Sequence, residues 1–420
     1  MPVPFFPASK HLTIELAEPV TILRGPPTDP ATHVLRGEVE LVLSKPIHAC
    51  DVIVQLVGRS YMLWPEGLGS RGKVYHEKTI HEQNLILQTL PEDQSVMIPA
   101  GLNRWPFTFL LPNTMVETIE DEIAKVYYYV NATVHRNGLG TNIRCRRNIM
   151  LLRTLTSSDA SLISYALPSP SIVVDRKFDA CDATICIDKA IASSGTQFPI
   201  SVILAPHLKH VHLESIAIVL TERRVYQLPE FNAYRKESHD YKLQLTSVTN
   251  LEDPSLALNG LVPCSDVPLT HLRRALAAKN AHIPLSNPFQ HRFIFTLPNC
   301  LTLNHTTFFS QMKFNHNLRI HIELSVPDSS ERVQIHLDTP ITILDCRLKE
   351  EFATLPTYKE ALSDPMVDAQ NTLEKPGFFL CPCYLDFKKK SRQAGRQEWM
   401  MVRQNGGAPM QPPPPYSFSR

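Results

Sequence analysis

The feature that most constrains this chain is a period-two alternation of apolar and polar residues. It recurs in short segments rich in Val, Ile, Thr and Tyr, broken about every ten residues by Pro, Gly, Asn or Asp. Residues of that period expose one face and bury the other only as strands, because successive side chains of an extended backbone point to opposite sides. Early examples are His11 to Leu16, Val34 to Leu43 and Val52 to Val57; later ones are Ile200 to Leu204, Ile216 to Thr221, Leu318 to Val326 and Gln334 to Ile343. Helical spacing is confined to Thr114 to Ala124, which suggests a short helix at a sheet edge, and to Leu269 to Asn280 inside a longer loop. The expected class is all-β, built from antiparallel sandwiches.

The alternation is also duplicated. His48 to Arg59 is matched by His212 to Arg223, each a strand entered from a polar turn. Phe107-Thr-Phe-Leu-Leu-Pro112 followed by Val126 to His135 is matched by Phe293-Ile-Phe-Thr-Leu-Pro298 followed by Leu318 to Val326. The later blocks lie further apart than the earlier ones, so the second copy is expected to carry an inserted loop at about 228–288. Two tandem immunoglobulin-like sandwiches follow, at 1–155 and 172–346. A Ser- and Pro-rich linker at 156–171 joins them, and a mostly disordered tail occupies 347–420, where the alternation stops.

These segments resemble the α-arrestins, the arrestin-related trafficking adaptors. The resemblance covers about the first 346 residues. It rests on Val34 to Leu43, Trp105 to Pro112, Lys125 to Arg136 and Phe293 to Pro298, and on their order and duplication. It implies a two-sandwich arrestin fold, no catalysis, and a role linking membrane cargo to ubiquitin ligases.

The tail supplies an independent argument for that role. Pro413-Pro-Pro-Tyr416 has the PPxY form. A proline run is already in the polyproline II conformation, so docking it costs little conformational entropy. In the WW mode Pro413 and Pro414 stack in an aromatic groove, and the Tyr416 ring fills a neighbouring pocket with its hydroxyl as a polar handle. Leu355-Pro-Thr-Tyr358 is a second candidate, of LPxY form, although Lys359 to Leu362 equally suits the start of a short helix. About 55 residues separate the two motifs, and a flexible chain of that length spans on the order of 40 Å, enough for two WW domains of one ligase to engage together. The expected partners are a WW-domain HECT-type ubiquitin ligase, ubiquitin, and cytosolic segments of transporters or receptors. The expected location is the cytoplasm, with peripheral recruitment to plasma membrane and endosomes.

Composition excludes several other classes. Lys and Arg number 42 against 41 Asp and Glu, so no overall field steers the chain toward nucleic acid. No apolar run reaches the eighteen or so residues that span a bilayer, and MPVPFFPASK shows no charged segment followed by an apolar core, so a secretory leader is not expected. No GxSxG, P-loop, Rossmann or HExxH pattern is present, and only 15 glycines are available for phosphate-cradling loops. An enzyme is therefore not expected, nor is a cofactor; an arrestin-fold sorting scaffold that acts without ubiquitin is the alternative. The nine cysteines are scattered without a CxxC pair, so a reducing compartment is expected and a zinc site has no support. His207, His210 and His212 suggest a polar turn more than a metal site. Arg144, Arg146 and Arg147 form a basic cluster suited either to an acidic or phosphorylated cargo tail or to a solvated strand face; Lys388 to Lys390 with Arg392 and Arg396 form a second.

Overall fold

A computed structural model describes residues 10–66, 72–88, 96–136, 141–154, 171–250, 269–277, 281–285, 289–326, 332–348, 381 and 383. Two compact units are formed, one containing 1–158 and the other 159–355 together with Cys381–Cys383. The strands of the first are β1 (Lys10–Leu16), β2 (Val20–Arg24), β3 (Thr32–Leu43), β4 (Ile47–Glu66), β5 (Gly72–Gln88), β6 (Val96–Ile98), β7 (Gly101–Pro112), β8 (Ile119–Glu120), β9 (Ala124–Arg136) and β10 (Ile143–Thr154). Those of the second are β11 (Ile172–Lys177), β12 (Cys181–Ile187), β13 (Ile191–Ser193), β14 (Gln197–Pro206), β15 (His212–Leu228), β16 (Ala233–Lys242), β17 (Gln244–Asn250), β18 (Ile283–Pro284), β19 (Phe289–Thr296), β20 (Thr307–Phe309), β21 (Met312–Ser325) and β22 (Arg332–Leu344).

Each unit is a sandwich of two sheets, and the duplication seen in sequence is a duplication of topology. One sheet runs β1-β3-β7 in the first unit and β12-β14-β19 in the second, where β11 and β17 extend it at the two edges. The other runs β2-β10-β9-β4-β5 in the first and β13-β22-β21-β15-β16 in the second. Even the exceptions repeat. Among the described residues one parallel pairing occurs in each unit: β2 with β10, Met150 opposite Val20, and β13 with β22, Ile191 opposite Thr342.

Alternation places the core. On β7 the side chains of Phe107, Phe109 and Leu111 are buried between exposed neighbours; on β19 Phe293 and Phe295 are buried between half-buried ones, and Leu297, just past its end, is buried too. Gly37 interrupts the apolar run of β3 for a steric reason: a Cβ there would stand 2.5 Å from Phe107 Cζ and 2.6 Å from the carbonyl oxygen of Glu15. A strand glycine at such a close approach lets the neighbouring ring lie flat across the backbone.

Two local expectations are corrected. Thr114 to Ala124 is not helical: it crosses between the sheets as turn and irregular backbone, with Ile119–Glu120 pairing onto β9 and Ala124 opening β9 itself. Its carbonyls are taken by tertiary partners, since Arg153 donates to the carbonyls of Asn113 and Met115 and the Tyr128 hydroxyl to that of Val116. Helical spacing loses to those bonds. The stretch at about 228–288 is likewise not one inserted loop. It holds β16 and β17, the helix Leu269–Leu276 and β18. The signal was missed because β16, AYRKESHDYK, has no fully buried side chain; it is a charged edge strand whose alternation is in exposure and not in hydropathy. The helix does occur where the spacing pointed, and its Leu272 and Ala275 join the core of the second sandwich.

That second core contains a buried acid. Glu222 on β15 is fully buried, accepting hydrogen bonds from Arg224 Nη2 at 2.8 Å, the Tyr241 hydroxyl at 2.9 Å and the backbone N–H of Asn304 at 3.1 Å. Burial alone would push its carboxyl up, but the neighbouring His316 and Arg224 outweigh burial and hold it at about 2. Burial holds the His316 ring below its ordinary value. Both folded-state values are depressed, so the unfolded chain binds more protons in acid; this stability is complete above the unfolded pKa values and is lost as pH falls. For Glu222 the window runs from its ordinary 4.5 down to about 2, and the contribution is on the order of 3 kcal/mol. Melting curves at pH 6 and pH 3 are expected to show a smaller acid-induced loss in Glu222→Gln than in the native chain; superimposable losses would show that another group titrates.

Candidate functional site

The residues of the two tail motifs, Leu355, Pro356, Tyr358, Pro413, Pro414 and Tyr416, lie outside the described residues, as do Lys388 to Lys390, Arg392 and Arg396. The basic cluster on β10 is described, and the structure divides it. Register sets Arg144 opposite Thr133, Arg146 opposite Asn131 and Arg147 opposite Val130. Arg144 and Arg146 therefore share the outer face of the larger sheet and are exposed, whereas Arg147 shares the other face with buried Ile149 and is half-buried. Burial lowers the Arg147 pKa, partly offset by the charge of Glu15 on the opposite sheet.

The outer face is organised around Arg146. Its guanidinium lies 3.6 Å from the centroid of the Tyr129 ring and 5.9 Å from that of Tyr127, a stacking that holds a long side chain in one orientation. The Tyr127 hydroxyl donates to Glu77 Oε1 at 2.6 Å, and Arg59 Nη1 meets the same oxygen at 3.2 Å. Glu77 is held below the ordinary carboxylate range, first by the Tyr127 hydrogen bond and then by Arg59 and Arg146 against the opposing effect of burial. Tyr127 is pushed up to about 12 by burial and by Glu77, so its hydroxyl stays a donor at any physiological pH. Beyond them Tyr61 and Tyr75 pack with centroids 5.5 Å apart. The result is an aromatic shelf bearing two exposed guanidinium groups, roughly 7 Å apart along the strand. A guanidinium fork held in place, as that of Arg146 is, donates bidentately to a carboxylate or phosphate.

His207 and His210 lie in the turn between β14 and β15, and His212 opens β15. His207 Nε2 is 3.1 Å from Asp182 Oδ1. No three-ligand group forms around them among the described residues.

Elsewhere the scattered cysteines are not all scattered. Cys300, Cys346, Cys381 and Cys383 converge in the second unit, their sulfur atoms all within 4.8 Å of one another. The cysteines are scattered in sequence and form no CxxC pair, yet four of them meet in the fold. The available signal was Cys381-Pro-Cys383, whose partners come from two turns that only folding brings together.

Comparison with known proteins agrees with this architecture. The arrestin (or S-antigen) N-terminal domain model matches residues 24–158, and the arrestin C-terminal domain model matches residues 179–348. Over 446 aligned residues the chain is 25% identical to a Schizosaccharomyces pombe protein named as an arrestin-related trafficking adapter, covering 90% of this chain and 60% of that protein. A second protein of that yeast, named as arrestin domain-containing, is 28% identical over 45% of this chain and 31% of its own length. A HECT-type ubiquitin ligase-interacting protein of Emericella nidulans is 26% identical over 51% of this chain and 36% of its own. The chain thus spans less than two thirds of the length of each of these relatives.

Proposed function

From the premise that this chain belongs to the arrestin family, with both arrestin domains matched in order, we propose that it is an adaptor between membrane cargo and a ubiquitin ligase. The observation that carries the proposal is Pro413-Pro-Pro-Tyr416 on the same chain as a double sandwich. The tail motif offers a WW domain of a HECT-type ligase a preformed polyproline II segment and one aromatic anchor. The names of the relatives support the same reading, one as a trafficking adapter and one as a HECT-type ligase-interacting protein.

In this reading the first sandwich presents Arg144 and Arg146 to an acidic or phosphorylated cytosolic segment of a transporter or receptor. The terminal motif brings the ligase within reach of that cargo and of the adaptor's own lysines, and ubiquitination directs the cargo to endocytosis. Among the described residues no helix is long and apolar enough to cross a membrane.

One assay separates the two binding functions. In cells, deletion of residues 411–420 is expected to abolish both ligase co-recovery and cargo ubiquitination. Arg146→Ala is expected to leave ligase recovery intact and lower cargo ubiquitination severalfold. Cargo ubiquitination that survives the deletion would favour a sorting scaffold working without this ligase contact.

A further inference from the structure

We propose that Cys300, Cys346, Cys381 and Cys383 bind a single zinc ion as a tetrahedral all-cysteine site that fastens residues 381–383 to the second sandwich. The inference is independent of the adaptor reading, because it rests on where four thiols lie and not on what the chain binds.

The four ligands come from three separate places. Cys300 lies in the turn between β19 and β20, and Cys346 opens a short 3-10 turn, Cys346–Leu348, directly after β22. Cys381 and Cys383 arrive from beyond residue 380. Cys346 is fully buried, Cys381 nearly so, and the other two are half-buried.

Size decides what such a cluster can hold. A zinc–thiolate distance near 2.3 Å in tetrahedral geometry separates neighbouring sulfurs by about 3.8 Å. The four sulfurs fit within 4.8 Å, and those of Cys300 and Cys381 are 3.1 Å apart. A polynuclear iron–sulfur cluster spreads its thiolates over separate metal atoms and needs a wider cage. None of the four is joined in a disulfide, and pairing two of them would leave the other two crowded in the same buried pocket. All-sulfur tetrahedral coordination suits zinc among the abundant divalent ions.

A dication binds all four as thiolates and displaces their protons, so its affinity falls with acid.

The test uses the full chain, purified under reducing conditions on a tag without histidines, with metals measured by mass spectrometry. About one zinc per chain is expected. Cys381→Ser combined with Cys383→Ser is expected to reduce bound zinc to below about a tenth of an equivalent, whereas Cys186→Ser on β12 is expected to retain it. Cys383→His keeps a permitted ligand set of three thiolates and one imidazole and is expected to retain zinc, which guards against mistaking misfolding for ligand loss. On the native chain, chelation is expected to expose four additional maleimide-reactive thiols. The proposal is overturned if reduced native protein incubated with zinc chloride remains metal-free, if it carries iron instead, if a Cys300–Cys381 disulfide is recovered, or if the Cys381→Ser, Cys383→Ser variant keeps its zinc.

Discussion

Replacing Tyr416 by alanine is expected to weaken binding of the full chain to a WW domain of a HECT ligase by about 30-fold or more. The magnitude follows from truncation of a buried aromatic anchor, which typically costs about 2 kcal/mol or more. Tyr416→Phe keeps the ring and loses only the hydroxyl's hydrogen bond, so about a threefold to tenfold loss is expected. The ordering matters more than either value. An anchor that works by filling an apolar pocket tolerates loss of the hydroxyl and not of the ring, whereas a tail recognised by proline content alone is indifferent to both. Tyr358→Ala alone is expected to have a small effect while Tyr416 is intact, because the second contact adds mainly effective concentration. Titration of purified chain against a WW domain measures all three. Unchanged affinity in the Tyr358→Ala, Tyr416→Ala double variant would refute the motif assignment and leave the zinc site untouched.

The second large effect lies in the first sandwich. Arg153→Met is expected to destabilise that sandwich by about 3–5 kcal/mol, a drop of about 10 °C in its melting temperature. A guanidinium carries five N–H donors, and each finds an acceptor here. Nε meets Glu117 Oε2 at 3.0 Å, Nη1 the Gly25 carbonyl at 2.9 Å and Asn113 Oδ1 at 3.2 Å, and Nη2 the carbonyls of Asn113 at 2.9 Å and Met115 at 2.6 Å. Arg153 and Glu117 side chains are each only 6% exposed. Removing the arginine strands a buried carboxylate and several carbonyls, so the cost is that of desolvated groups left without partners and not merely that of the lost bonds. Lysine cannot substitute, since its three donors do not match a planar five-way fork. Adding Glu117→Leu to Arg153→Met is expected to recover part of the loss, because it removes the stranded charge; a double variant no more stable than the single would mean that the carbonyls dominate.

Much of this molecule was legible from alternation. Phe107 to Pro112 and Phe293 to Pro298 announce two equivalent strands because the same alternating phenylalanines recur, and β7 buries Phe107, Phe109 and Leu111 as β19 buries Phe293 and Phe295. Where burial did not follow hydropathy, reading failed. The edge strand β16 has no buried face, so its residues spell a polar loop. The crossing at 114–124 carries helical spacing, yet Arg153 and Tyr128 compete for its carbonyls from far along the chain. The cluster Arg144, Arg146 and Arg147 was visible as composition, but only register shows that two of the three share a surface and that Tyr129 supports one of them.

The sequence by itself determined the strand period, the duplication and the proline-bound tyrosine, since each is a property of neighbouring residues and the backbone geometry they favour. Only the tertiary structure decided which polar groups meet. The fork of Arg153, the buried Glu222 and the convergence of Cys300 and Cys346 with Cys381 and Cys383 all join residues remote along the chain, brought together by sheet pairing and loop crossing. Such meetings have no period for a linear pattern to reveal, because their chemistry depends on distance through space.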